Sequence, residues 1–217
     1  MCRAANLRSA VNAVDHLLLG VSDLDRGIAW VEERTGVRAA AGGSHPGRGT
    51  RNALLSLGGR HYLEIIAPDP AQSGTTPQFD VTKLEEPKLI TWAASTDDIE
   101  AVGKSARDAG VQVFGPLNGS RKTPSGGLLE WKTLHVAHAP APVDPIPFLI
   151  QWSAGTRHPS SDSPAGCELE SLRFEHPDPQ ALVNTLRSLG IEANVSKAAN
   201  ARIIAKLRTK KGLVELS

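Results

Sequence analysis

One run of features passes three times along this chain of 217 residues, and that repetition narrows the available folds more than any other property. Val14 to Val21 is a short apolar run of strand length. Ser22-Asp23 then offers a helix cap and an acid for the first turn, Ile28, Ala29 and Val31 continue a helical pattern, and Thr35-Gly36 ends it. Leu89 to Ala94, Thr96-Asp97-Asp98, a helix over Ile99 to Ala109 and Gly110-Val111 repeat that order. Leu169 to Phe174, Pro177-Asp178-Pro179, a helix carrying Leu182, Val183, Leu186 and Leu189, and Gly190-Ile191 give it again. The cap acid and the closing glycine (Asp23 and Gly36, Asp97 and Gly110, Asp178 and Gly190) lie 13, 13 and 12 residues apart.

Each helix is followed by strand-like segments. After the first come residues 52–57 and 61–66 around Gly58-Gly59, a strong hairpin signal. After the second come residues 128–136 and 147–152, and after the third residues 201–207 and 213–216. The expectation is an α+β chain of repeated βαβββ modules: two over residues 13–67 and 89–153 forming one domain, and a third over 167–217 that packs or dimerises. Pro68 to Lys88 and Ser153 to Gly166 have linker composition. Pro116 to Gly127 reads as a long loop, of the kind that serves as a lid.

Composition removes several function classes. The formal net charge of +1 and 4% aromatic residues leave neither the field nor the stacking surfaces expected of a nucleic-acid or membrane binder. The longest apolar runs are too short to span a bilayer, and the first residues lack the apolar stretch of a signal peptide. Cys2 and Cys167 stand alone with no C-x-x-C spacing, as expected of reduced thiols in a cytoplasmic protein. No nucleophile elbow, P-loop or dinucleotide fingerprint is present.

Asp15-His16, Asp23-Leu24, Thr35-Gly36, the run Gly42-Gly43-Ser44-His45-Pro46-Gly47, Gly49-Thr50-Arg51-Asn52, Tyr62-Leu63-Glu64 and the later Phe148 to Trp152 with His158-Pro159 resemble the glyoxalase-like branch of the vicinal oxygen chelate superfamily. The resemblance covers nearly the whole chain and is most specific over residues 13–70. It implies paired βαβββ modules whose curved sheets enclose a small-molecule cavity. It also implies one of several activities: metal-dependent lyase, isomerase or dioxygenase chemistry, or metal-free drug binding of the bleomycin-resistance type.

The resemblance places superfamily metal ligands on the first and last strands of each module. Those positions hold His16 and Glu64 in the first module, with Gln151 as the weaker candidate in the second, for one divalent ion such as Fe, Mn, Zn or Ni. Strand alternation puts Tyr62, Glu64 and Ile66 on one face, and a carboxylate in so apolar a strand needs a partner, whether a metal, a histidine or an arginine. His16 and Glu64 are therefore also candidates for an acid–base pair, with His45 assisting. Arg51 and Asn52, on the glycine-rich stretch, are candidates for binding substrate, arginine being suited to a carboxylate or phosphate, although the same stretch also reads as a conformational turn. Trp92, Trp131 and Trp152 are candidates to wall the cavity, and core packing explains them equally well. His61, His135, His138, His158 and His176 read as surface, packing or solvated residues. A small-molecule enzyme and a metal-free binding protein both remain open, with a small-molecule ligand and a homodimer as the expected partners.

Overall fold

The computed structural model describes residues 8–72, 74–75, 81–123, 126–139 and 141–217. Cys2 and parts of the two segments 68–88 and 116–127 lie outside the described residues. A short N-terminal strand and helix, β1 (Arg8–Ser9) and α1 (Ala10–Ala13), precede the first module. That module comprises β2 (Val14–Gly20), α2 (Leu24–Thr35), β3 (Ala40–His45), β4 (Thr50–Ser56) and β5 (Tyr62–Pro68). The second comprises β6 (Lys88–Ser95), α3 (Ile99–Asp108), β7 (Val113–Lys122), β8 (Leu128–Val136) and β9 (Phe148–Trp152). The chain ends with β10 (Cys167–His176), α4 (Pro179–Ser188), β11 (Ile191–Glu192), β12 (Asn194–Lys197), β13 (Arg202–Thr209) and β14 (Gly212–Leu216).

The helix limits follow the sequence signals. The side chains of Asp23, Asp98 and Asp178 accept from the backbone N–H groups of Arg26, Ala101 and Ala181, satisfying donors that the first helical turn leaves unpaired. Gly36 closes α2 at φ 73°, a left-handed conformation in which a side chain would be strained, and gives its N–H to the Glu32 carbonyl.

Both modules enter one eight-stranded sheet of order β3-β4-β5-β2-β6-β9-β8-β7. Within each module the first and last strands run parallel (β2 with β5, β6 with β9), and the modules meet where β2 pairs antiparallel with β6. At the far edges, Arg121 Nη1 on β7 donates to the Gly42 carbonyl on β3 at 2.6 Å, so the curled sheet nearly closes on itself. This is the mixed α+β glyoxalase fold.

Two expectations are corrected. Residues 116–127 are not one long loop: β7 runs to Lys122 and pairs with β8 from Val113↔Val136 to Lys122↔Leu128. Its Pro, Asn, Gly and Ser mimic a loop because β7 is an edge strand, with one ladder to satisfy and little burial to enforce an apolar pattern. The last unit departs from the β-α-β-β-β order: four strands follow α4, and the two-residue β11 pairs with β1. Its other strands form a sheet of order β12-β10-β13-β14, with β10 between β12 and β13 rather than beside β14. Order along the chain does not fix order across a sheet.

The core lies on the convex face of the large sheet, beneath α2, α3 and the small sheet. Leu17, Leu19, Leu63 and Ile65 pack there with Phe174, Ile203 and Leu207. Trp92, fully buried, stacks on Phe174 at 5.6 Å and donates its indole N–H to the Pro145 carbonyl. Alternation along the same strands leaves His16, Asn52 and Glu64 for the concave face. Among the described residues no helix is long and apolar enough to cross a membrane.

Candidate functional site

The concave face encloses a cavity of about 110 Å³. One wall is polar, with His16 from β2, Asn52 from β4 and Glu64 from β5, joined by His45 from the end of β3. The facing wall is aromatic, with Trp131 from β8 and Phe148 and Trp152 from β9. Arg48 and Arg121 also line it.

Glu64 is the centre. Its Oε1 accepts from the Asn52 amide at 2.6 Å and lies 3.4 Å from His45 Nε2, while Oε2 lies 3.4 Å from His16 Nε2. Burial alone would raise its pKa. The imidazoles of His45 and His16, the Asn52 hydrogen bond and the charge of Arg121 outweigh burial and hold it below the usual value, so Glu64 is a buried carboxylate that stays ionised.

His45 is set differently. Asn52 Nδ2 also approaches His45 Nε2, at 3.1 Å, which makes Nε2 an acceptor and leaves the proton on Nδ1, 2.8 Å from Thr50 Oγ1. Burial lowers the His45 pKa, Glu64 opposing that and Arg121 adding to it. His45 is neutral at neutral pH.

Behind His16 stands Asp15. An even pleat would turn two successive side chains to opposite faces, but the β2–β6 ladder slips between Val14 and His16. Asp15 Oδ1 accepts from His16 Nδ1–H at 2.8 Å. Its Oδ2 accepts from the Trp152 indole N–H at 2.9 Å and from His158 Nε2–H at 3.2 Å. The tautomer of His158 follows from its other nitrogen, which receives the Ser160 backbone N–H. Burial would raise the Asp15 pKa, yet the hydrogen bonds from the two histidines hold it well below the ordinary carboxylate range. A buried anion behind Nδ1 fixes the His16 ring so that Nε2 faces Glu64, the arrangement by which carboxylates orient functional imidazoles.

His16, Glu64, His45, Asn52, Trp131 and Trp152 thus come together in the cavity. Three other candidates do not. Gln151 points away: its Oε1 accepts from the Ile99 backbone N–H and its Nε2 donates to the Asp97 carbonyl, so it caps α3. The inward residues of β9 are Phe148, Ile150 and Trp152, one register step away, and such a step moves a side chain to the other face. Trp92 belongs to the core, because its partner across the ladder, Leu17, faces the convex side. Arg51 flanks the inward Asn52, and alternation carries it off the cavity wall.

This donor set does not fit the metal centre that the resemblance implies. The second module presents Ile150 where the first presents Glu64, and the Asn52 amide already occupies His45 Nε2 and Glu64 Oε1. Among the described residues no three His, Cys, Asp or Glu side chains are grouped to hold an ion.

Some site residues carried no clear signal in the sequence. His158, expected to be solvated, is 3% exposed. His135 stacks on Phe148 at 5.5 Å and lines the cavity, and Arg121 came from the stretch read as a loop. The doublet Asp15-His16 was the available clue, an acid beside an imidazole in an otherwise apolar strand.

Similarity to known proteins agrees with this architecture. A crystal structure of a hypothetical protein from Staphylococcus aureus superposes with a TM-score of 0.68 at 16% identity, covering 94% of this chain and 98% of that one. Methylmalonyl-CoA epimerase from Mycobacterium tuberculosis superposes less well, with a TM-score of 0.43 at 19% identity over 70% of this chain and 91% of that one. No relative among curated proteins matches. The family model described as the glyoxalase-like domain matches residues 14–190, and the chain belongs to that family.

Proposed function

We propose that this chain is a small-molecule enzyme of isomerase or lyase type, which moves a proton on a small oxygenated metabolite. The observation that carries the reading is the line Asp15–His16–Glu64, with a carboxylate oxygen within 3.4 Å of each imidazole nitrogen. Glu64, ionised and facing the cavity, accepts a proton from the substrate. His16 Nε2 takes a share of it, and Asp15 stabilises the imidazolium that results. The Asn52 amide holds Glu64 in place, and the cationic wall offsets negative charge that develops on a substrate oxygen. The aromatic wall keeps water from the exchange. In this reading Glu64, His16 and Asp15 carry the proton.

A test is carbon-bound hydrogen exchange in D2O, followed by NMR across a panel of small oxo acids and hydroxy ketones. Exchange that disappears in Glu64→Gln supports the reading. A panel member that binds without exchanging in the parent protein favours a sequestering protein instead, a reading supported by Phe148, Ile150 and Trp152 lining the second half of the cavity.

A further inference from the structure

Arg121 is 8% exposed, lies on the cavity wall and, among the described residues, forms an ion pair with no carboxylate. Among the described residues its guanidinium makes one hydrogen bond, the Nη1 donation to the Gly42 carbonyl at 2.6 Å. A guanidinium carries five N–H donors, and burying a cation without an anion is expensive. Glu64 feels this charge through space, but its hydrogen bond comes from the Asn52 amide and its oxygens lie against the two imidazoles. A buried guanidinium on the cavity wall, without a carboxylate paired to it among the described residues, favours an anionic guest.

The surface next to Arg121 specifies the rest of that guest. Gly119 faces Trp131 across β7 and β8, and a side chain at position 119 would overlap the indole. The absence of one lets the ring lie flat against β7, beside Arg121. Trp152 meets Trp131 edge to face at 5.5 Å, and Phe148 stacks with His135 at 5.5 Å. Flat apolar surfaces of this kind bind planar groups. At about 110 Å³ the cavity is smaller than the roughly 300–1,000 Å³ typical of drug-sized ligands, which suits a guest with a single ring.

We infer that the cavity takes a small planar carboxylate, its anionic group held by Arg121 and its ring laid against Trp131 and Phe148. The inference deepens the proton-transfer reading by naming the substrate class of the same site. A monoanion is favoured over a phosphate dianion because Glu64 keeps its own negative charge in the same enclosure. The unused edge of the guanidinium suits a bidentate carboxylate.

Benzoate is the probe, with benzyl alcohol as its neutral counterpart and phenyl phosphate as the dianion, each titrated calorimetrically into the full chain. Benzoate is expected to bind at least tenfold more tightly than either, and Arg121→Met to remove that preference. Because Arg121 also bridges β7 to β3, a parallel measurement uses the parent protein alone: benzoate should shift the Arg121 Nε–H resonance saturably. Equal affinity for benzoate and benzyl alcohol, tighter phenyl phosphate, or an unmoved Arg121 resonance would overturn the inference. The assay reads binding and not turnover, so benzoate bound by Glu64→Gln as tightly as by the parent, with no exchange detected in the parent, would sink the proton-transfer reading and leave this one standing.

Discussion

Gly42 on β3 and Asn52 on β4 approach so closely that a methyl group on Gly42 would overlap the Asn52 amide oxygen. The same amide donates to Glu64 from its other end, so the missing side chain at position 42 sets where the central carboxylate of the cavity rests. Gly42→Ala is expected to cost about 1–3 kcal/mol, the usual penalty of overpacking, measured by urea denaturation. It should also weaken any ligand that Glu64 contacts, in titrations of the folded protein. Unchanged stability would mean that β3 yields without disturbing Asn52.

Asp15 is ionised in the fold with a pKa below its unfolded value of 3.8. The stability it contributes is therefore present above about pH 4 and is lost as pH falls further. Asp15→Asn places an amide among three N–H donors and should cost on the order of 3 kcal/mol at neutral pH. Its acid denaturation below pH 4 should be shallower than that of the parent. Parallel acid limbs in the two proteins would refute this account of Asp15.

His45 titrates in the opposite charge sense. Burial lowers its pKa below the unfolded value of 6.5, so the unfolded chain binds the proton more readily. Stability is complete above pH 6.5 and declines as pH falls towards the folded pKa. His45→Gln should flatten the decline below pH 6.5, and His135, shifted the same way by burial, contributes to what remains. Stability measured at half-unit steps across that window checks the sign.

Trp92→Ala removes a fully buried ring and should cost about 3–5 kcal/mol. Gln151→Ala removes the side-chain partner of the Ile99 N–H and should cost about 1 kcal/mol. Both variants, once folded, should bind cavity ligands like the parent. A lost ligand at unchanged stability would return either residue to the site.

The first two modules were legible because cap acids, closing glycines and the Gly58-Gly59 turn are local signals, and local chemistry shapes them. Glu64 and His16 were legible because polar groups inside apolar strands need an explanation. Gln151 was misread for a reason internal to sheets: a strand five residues long can be read in either of two registers, and only pairing with β6 and β8 decides which face is inward. His158 was hidden by its setting. Pro, Ser and Gly around it mark a connection, and nothing local says that the connection folds back beneath a carboxylate. The wiring of the last four-stranded sheet was likewise a matter of long-range pairing.

The three donors to Asp15 also set a timetable for biosynthesis. His16 leaves the ribosome beside it, but Trp152 follows 137 residues later and His158 143 residues later. At the usual pace of translation that interval is on the order of ten seconds. Throughout it Asp15 lacks two of its three donors. Until the segment carrying His158 has been made, water or loose pairing must satisfy the second oxygen of that carboxylate, which ties the drying of this strand to a connection far along the chain.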